Sequence, residues 1–592
     1  MRKIWRLMTS VMQLKFIGNT NLTEGNNSKS DTVIVVGGYM NRLKRTICAL
    51  LVVFLISGCR TEDKSKQTSS QPKNALEIVF TYGSEKENWI KDVTEKFNRE
   101  NHKSTSGKPI FVNAIPMGSG ECIDELLAGR RKAHLTSPAS AAFIKLGNAQ
   151  SRAKTGKDLI AATDNLVLSP VVIAMWEPMA KAIGWGSKPI GWSDILSLAK
   201  NAQGWSAYQH PEWGRFKFGH THPEFSNSGL ISVLAEVYAG SGKAANLSVA
   251  DVENPKVGEY VSEIEKSVVH YGSSTGFFGR KMFENGPDYL SAAVLYENMI
   301  IESHSQTTLP VVAIYPKEGT FWSDHPVGIV ERDWVTPEHR AAAKTYLQYL
   351  LDRPQQEKAM TYGFRPGVVE IPLAAPIDTD HGVDPREPKT TLEVPSVEVM
   401  DAVTRLWHED KKHADVVLVF DTSGSMKDEN KIASARTGSL QLLSMLGDED
   451  TFSLLPFSST SNWSIRSSVL KSTRPNVDQT LRSLFPSGGT ALYDAIDSGY
   501  QYALQNQQPN RISAVVVLTD GADTDSKMNF QTLLQRIHFD NEKRTIRVFT
   551  IGYGSDAQKD ILKQIADSTQ AKFYEGTPDN IRSVFQEIST FF

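Results

Sequence analysis

Asp421, Ser423 and Ser425 alternate along Asp421-Thr-Ser-Gly-Ser425, directly after the apolar run Val416-Val-Leu-Val-Phe420. A run of bulky and β-branched residues that stops at small polar ones reads as a buried parallel strand ending at a sheet edge. A tight turn there can aim one carboxylate and two hydroxyls at one point, an all-oxygen set suited to Mg²⁺ or another hard cation. The same half of the chain supplies two more oxygen donors. Thr490 follows Gly488-Gly489 and precedes the helical pattern Ala491-Leu-Tyr-Asp-Ala495, and Asp520 closes the apolar run Val515-Val-Val-Leu-Thr519. Asp, Ser and Gly also make ordinary turns. Three such motifs in order beside buried strands favour the cation.

The elements around these residues alternate. From Asp415 onwards the pattern gives helix 430–446, strands 451–456 and 464–470, helices 477–484 and 491–504, and strand 512–519. It continues with helix 530–537, strand 546–552, helix 557–566, strand 572–574 and helix 578–591. That succession predicts a doubly wound sheet, whose ligands lie at the C-terminal strand ends. Asp-x-Ser-x-Ser, the distant Thr after paired Gly and the strand-terminal Asp-Gly resemble the metal-ion-dependent adhesion site of von Willebrand factor A domains. The resemblance implies that Ser423, Ser425 and Thr490 coordinate Mg²⁺ (or Mn²⁺ or Ca²⁺) directly, and Asp421 and Asp520 directly or through water. It leaves one position for an acidic group on a protein partner.

The first half also alternates, with strand 76–80, helix 87–98 and strand 110–115, and so predicts an α/β lobe with a parallel sheet. Ser119 in Met117-Gly-Ser-Gly120, Ser137 in Thr136-Ser-Pro-Ala-Ser140, and Ser226, Asn227 and Ser228 each precede a helical pattern. Hydroxyls before a helix leave N–H groups free for an anion, although the same residues serve as plain N-caps. Their order along the chain resembles the class II periplasmic solute-binding proteins, in particular the branch for phosphate, sulfate or molybdate. The resemblance spans about 74–370 and implies a small-molecule solute bound near Ser119, Ser137, Ser226, Asn227, Ser228, Tyr296 and Glu297. Glu297 departs from an anion site by its charge, so a neutral or cationic solute or a peptide segment stays open beside an oxyanion.

The whole is expected to be α/β, a two-lobed periplasmic-binding-protein-like domain followed by a doubly wound, Rossmann-like von Willebrand factor A domain. Its 592 residues exceed a single core. A net charge of −3 without a charge block gives no case for nucleic acid. Three cysteines provide neither a disulfide framework nor a zinc spacing. The basic start at Met40, the apolar stretch 46–56 and Ser57-Gly58-Cys59 predict a lipoprotein signal over 40–59, with Cys59 acylated and the protein held in the cell envelope by a lipid anchor. Met40 is then the expected start and 1–39 an extension that no secretory signal needs. Residues 60–73 read as a tether, 74–370 as the solute domain, 371–412 as a proline-rich linker and 413–592 as the second domain. Asp378, Asp380, His381 and Asp384 are read as solvated linker rather than a metal site. No enzyme is expected. A Mg²⁺-dependent phosphatase would need an acid–base Asp where Ser423 stands, and neither a P-loop nor G-x-S-x-G is present. A solute sensor in place of a transport receptor is the other alternative.

Overall fold

The computed structural model describes residues 71–592 except 369, 509, 538–545, 555 and 579. The extension, the signal with Cys59 and most of the tether lie outside the described residues. Residues 71–592 form one unit.

The first lobe is built on strand Leu76–Gly83, in which Leu76, Ile78, Phe80 and Tyr82 are buried. It pairs in parallel with Ile110–Met117 and Leu135–Ser137. Helix Glu87–Glu100 covers this sheet through Trp89, Ile90, Val93, Thr94 and Phe97, spaced to share one face. Asn101 ends it at φ 57°, a left-handed residue of the kind that stops helices. The sheet is mixed, not purely parallel as the alternation predicts. Strand Pro326–Val330 enters antiparallel to Leu135–Ser137 and Ile160–Asn165, because it returns from the second lobe.

The chain leaves the first lobe at Leu166 and re-enters at His325, and the Leu166 N–H donates to the His325 carbonyl at 3.2 Å. Two such crossings, tied to each other, make a hinge. Between them lies the second sheet, centred on Val167–Trp176. Strands Ala292–Tyr296 and Val311–Ile314 run antiparallel to it, and Phe218–Thr221 and Val268–Gly272 continue the sheet beyond.

The tract 371–396 packs against this lobe. Ile371, Ile377, Val383 and Leu392 are buried, and backbone bonds join Leu392 N to Thr320 O and Ala313 N to Gly382 O. Helix Val397–Asp410 follows and lays Val399, Met400, Val403 and Trp407 on helices Asn227–Ser241 and Pro255–Glu265.

The C-terminal sheet has the order Ile465–Val469, Thr451–Phe457, His413–Asp421, Arg511–Thr519, Arg547–Tyr553, Phe573–Gly576, parallel except for its first strand. Helix Leu470–Ser483 starts earlier than the pattern predicts and carries Pro475 inside it. Proline reads as a helix stop, but Leu470, Val477 and Leu481 lie on one buried face and packing overrides the local preference. This domain is joined to the second lobe by more than the chain. The Phe591 ring stacks on His270 at 4.5 Å, Trp407 meets Tyr271 edge-on at 5.1 Å, and Lys411 Nζ donates to the Phe592 carbonyl at 2.8 Å.

Trp407 is wholly buried in the core shared by both domains. Trp407→Ala is expected to cost about 3–5 kcal/mol and to split one calorimetric unfolding transition into two. A single transition with unchanged midpoint would show that Trp407 does not couple the domains.

Candidate functional site

Strands His413–Asp421 and Arg511–Thr519 run side by side in parallel register, Phe420 opposite Leu518, so Asp421 and Asp520 emerge from the same edge. Both carboxylates are fully buried. Asp421 Oδ1 accepts from the Ser423 N–H at 2.7 Å and Oδ2 from the Thr519 hydroxyl at 2.6 Å. Ser425 Oγ donates to Asp520 Oδ1 at 2.8 Å and lies 3.0 Å from Ser423 Oγ. Thr490 is at the same point. A Cβ placed on Gly521 would sit 3.8 Å from Ser425 Oγ and 3.9 Å from Thr490 Oγ1. All the residues read from the sequence as cation ligands are therefore brought together.

Backbone bonds lock the three loops. Ser487 N donates to Thr422 O, Gly424 N to Gly488 O, and Thr524 N and Asp525 N to Thr490 O. Gly489 lies close to the exposed Asp525 carboxylate, and a Cβ there would fall 2.3 Å from Asp525 Oδ2. The Asp523 carboxylate caps helix Leu492–Gln505 through the Leu492 N–H at 2.8 Å.

Two carboxylates and three hydroxyls fit a hard divalent cation. Burial pushes the Asp421 carboxyl up to about 6, with Asp520 adding repulsion and the Thr519 and Ser423 bonds opposing. That is the response of a carboxylate whose countercharge is incomplete. Lys431 supplies part of it, its ammonium donating to Asp520 Oδ2 at 2.8 Å and lying 3.7 Å from Asp556. The sequence reading missed Lys431. Its only signal was its place at the start of the helix that follows the Asp421 loop.

The residues proposed for the solute behave less uniformly. Ser226, Asn227, Ser228 and Tyr296 form one buried network. Ser226 Oγ is 3.0 Å from Thr275 Oγ1, Ser228 Oγ is bonded to Thr221 and Thr275, and Asn227 Nδ2 donates to Tyr296 at 3.0 Å and Ser323 at 3.1 Å. Ser226 makes no side-chain cap bond, so its hydroxyl is not spent on the helix. Ser119 accepts from Ala139 N, and Ser137 donates to the His325 carbonyl at 3.5 Å. Glu297 faces elsewhere, with both oxygens on the Arg365 guanidinium at 2.8 and 2.6 Å and Tyr315 adding a third bond. Its charge is neutralised there.

Charged groups that the sequence did not single out lie at the hinge instead. The buried Lys86 ammonium donates to Glu85 at 2.7 Å and sits 3.1 Å from His325 Nδ1. Burial and Lys86 push His325 down to about 4, whereas Lys86 and His325 outweigh burial to hold Glu85 at about 2. Among the described residues Asn227 Oδ1 and His325 Nε2 have no hydrogen-bond partner.

The lobes touch. Gly120 N donates to Phe225 O at 2.9 Å, Gly276 N donates to Ser84 Oγ at 3.1 Å, and a Cβ on Gly120 would fall 1.9 Å from the Glu224 carbonyl. Beside this contact is a cavity of about 410 Å³ lined by Ser84, Gly118, Phe225 and Ser274 together with Lys572 and Glu587 of the C-terminal domain.

Residues 78–365 match the family model described as a bacterial extracellular solute-binding protein, and residues 415–587 that of the von Willebrand factor type A domain. The chain is 27% identical over 181 residues to calcium-activated chloride channel regulator 1 of Bos taurus, across 30% of this chain and 19% of that protein. It is 24% identical over 194 residues to inter-alpha-trypsin inhibitor heavy chain H2 of Homo sapiens, across 30% and 20%. This chain thus spans about a fifth of each relative's length. Among solved structures, a periplasmic thiamin binding protein is similar at 13% identity and a TM-score of 0.42, across 57% of this chain and 98% of that one. A von Willebrand factor type A structure from Catenulispora acidiphila is similar at 20% identity and 0.26, across 30% and 42%.

The raised Asp421 carboxyl sets a pH dependence. Its folded pKa lies above the unfolded value, so Asp421 favours the metal-free fold below about pH 4 and that contribution is lost as pH rises through about 6. A cation must displace the proton, so Mg²⁺ affinity measured by calorimetry is expected to fall about tenfold from pH 7.5 to pH 5. Equal affinity at pH 7.5 and pH 5 would exclude Asp421 as a ligand.

Proposed function

We propose that this chain, which joins a bacterial extracellular solute-binding domain to a von Willebrand factor type A domain, is an extracytoplasmic binding protein anchored to the cell envelope by a lipid on Cys59. The first domain takes a small solute in the cleft between its lobes. The second holds Mg²⁺, or Mn²⁺ or Ca²⁺ in its place, through Asp421, Ser423, Ser425, Thr490 and Asp520, and offers an open position to an acidic group of a protein partner. No helix among the described residues is long and apolar enough to cross a membrane.

The observation that carries this reading is the hydrogen-bonded chain Ser423–Ser425–Asp520 beside buried Asp421. Small donors on three mutually bonded loops are pre-positioned, so binding the cation costs little reorganisation. An enzyme would need a base and an orienting group around a nucleophile. The groups around Asp421 are hydroxyls, a second carboxylate and an ammonium. Asp421→Ala or Asp520→Ala is expected to abolish Mg²⁺ binding in calorimetry while circular dichroism keeps the folded signal, and partner binding should vanish with EDTA. Undiminished affinity in Asp421→Ala would remove the cation site.

For the cleft, neutral hydroxyl and amide donors, with the Glu297 charge taken up by Arg365, support an oxyanion as the leading solute. Each donor to a charged group contributes about 1.5–3 kcal/mol. Ser228→Ala should therefore weaken solute binding roughly tenfold or more. A thermal-shift panel of oxyanions, sugars and short peptides identifies the class. Stabilisation by a sugar or peptide and by no oxyanion would overturn the anion assignment.

The sensor reading is favoured over a transport receptor by one observation. Lys572 and Glu587 of the second domain share the 410 Å³ cavity with the lobe-closing residues Gly118 and Phe225. A solute that shifts the lobes then alters the surface on which the second domain rests.

A further inference from the structure

Strand Phe218–Thr221 and helices Asn227–Ser241 and Pro255–Glu265 bring three ligating side chains to one point, far in sequence from the Asp421 loop. His220, Glu236 and Glu265 are each fully buried, and one ligand atom from each lies within 4.8 Å of the others. Each side chain is oriented from behind. His220 Nδ1 is 2.7 Å from the Thr221 carbonyl, which only accepts, so that nitrogen carries a proton. Tyr271 donates to Glu265 Oε2 at 2.6 Å, and Ser232 donates to Glu236 Oε1 at 2.9 Å. The remaining atoms converge. His220 Nε2 and Glu265 Oε1 are 2.8 Å apart, and Glu236 Oε2 has no hydrogen-bond partner among the described residues.

An outer bond on the far atom of each ligand is how metal ligands are fixed in tautomer and direction. The charge balance points the same way. Among the described residues neither Glu236 nor Glu265 has a Lys or Arg ion pair, and the buried Lys411 ammonium goes to the Phe592 carbonyl. A buried carboxylate without a bonded oxygen partner is costly unless a cation or a proton meets it.

We propose that His220, Glu236 and Glu265 bind a divalent first-row transition ion. One imidazole and two carboxylates fit Zn²⁺, Mn²⁺ or Fe²⁺ better than the all-oxygen preference of Mg²⁺. The ion is structural. It fastens the strand to two helices that carry helix Val397–Asp410, and so supports the junction between the domains. This site is independent of the cation proposed at Asp421.

The test uses the full chain, purified without chelator or a metal-affinity step. Elemental mass spectrometry is expected to find about one transition ion per chain in the wild type and in Asp421→Ala, and none in Glu236→Gln. After stripping with EDTA, Zn²⁺ or Mn²⁺ should raise the unfolding midpoint of the wild type and leave Glu236→Gln unmoved. Should Glu236→Gln fail to fold, Ser232→Ala keeps every ligand and removes one outer bond, and is expected to weaken the ion 10–100-fold. A wild-type chain that carries only traces of transition metal, and whose stripped form is not stabilised by Zn²⁺, Mn²⁺ or Fe²⁺, would overturn the proposal. Loss of Mg²⁺ binding with the transition ion retained would leave this proposal standing when the adhesion-site reading is tested apart from it.

Discussion

Two carboxylates leave neighbouring parallel strands at the same buried edge, and the C-terminal domain is arranged around that fact. Asp421 and Asp520 cannot both be charged in a dry setting without compensation, because like charges repel strongly where water does not screen them. The fold answers with bonds from Ser423 N, the Thr519 hydroxyl and Ser425, and with the Lys431 ammonium. Lys431 reaches only one oxygen of Asp520. The remaining deficit faces the hydroxyls of Ser423, Ser425 and Thr490, which are neutral and small enough to surround a cation. Loop rigidity follows from the same constraint, since a donor set held by backbone bonds such as Ser487 N to Thr422 O keeps its shape.

The first domain solves a different problem. Its cleft is closed by backbone contacts across glycines, and its hydroxyl network satisfies itself except at Asn227 Oδ1 and His325 Nε2. Glu85, Lys86 and His325 place a balanced set of buried charges beside the hinge crossing between the lobes. Because the second domain packs on the second lobe through Phe591 and Trp407, movement at that hinge is not private to the first domain.

The second domain was legible because its signals are local. Apolar strand runs ending on Asp421 and Asp520 specify strand and edge together. The helix start at Ser226, Asn227 and Ser228 is legible because small polar residues precede an apolar run. What was not legible depends on contacts between distant segments. Lys431 looks like an ordinary surface lysine until helix Lys431–Met445 brings it to Asp520. Glu297 reads as ligand-facing until Arg365, 68 residues on, takes both its oxygens. The prolines at 376, 385 and 388 read as spacer, yet Ile377, Val383 and Leu392 lie against the second lobe. The early start of helix Leu470–Ser483 was hidden by Pro475, whose local penalty of about 3 kcal/mol is outweighed only by the combined burial of Leu470, Val477 and Leu481 on one face.

The buried charges of this molecule divide by how completely they balance. Glu297 meets the bidentate Arg365, which also lies 5.1 Å from the Trp322 ring, so that pair is closed and needs nothing further. Glu85, Lys86 and His325 balance through one carboxylate, one ammonium and a ring kept neutral by burial. Asp421 with Asp520 keeps two carboxylates for one lysine, and Glu236 with Glu265 keeps two for one imidazole. Burying an uncompensated charge costs several kcal/mol, more than most single contacts contribute. Such deficits at two separate points, each beside hydrogen bonds that orient the carboxylates, are the common ground of the two cation sites proposed above.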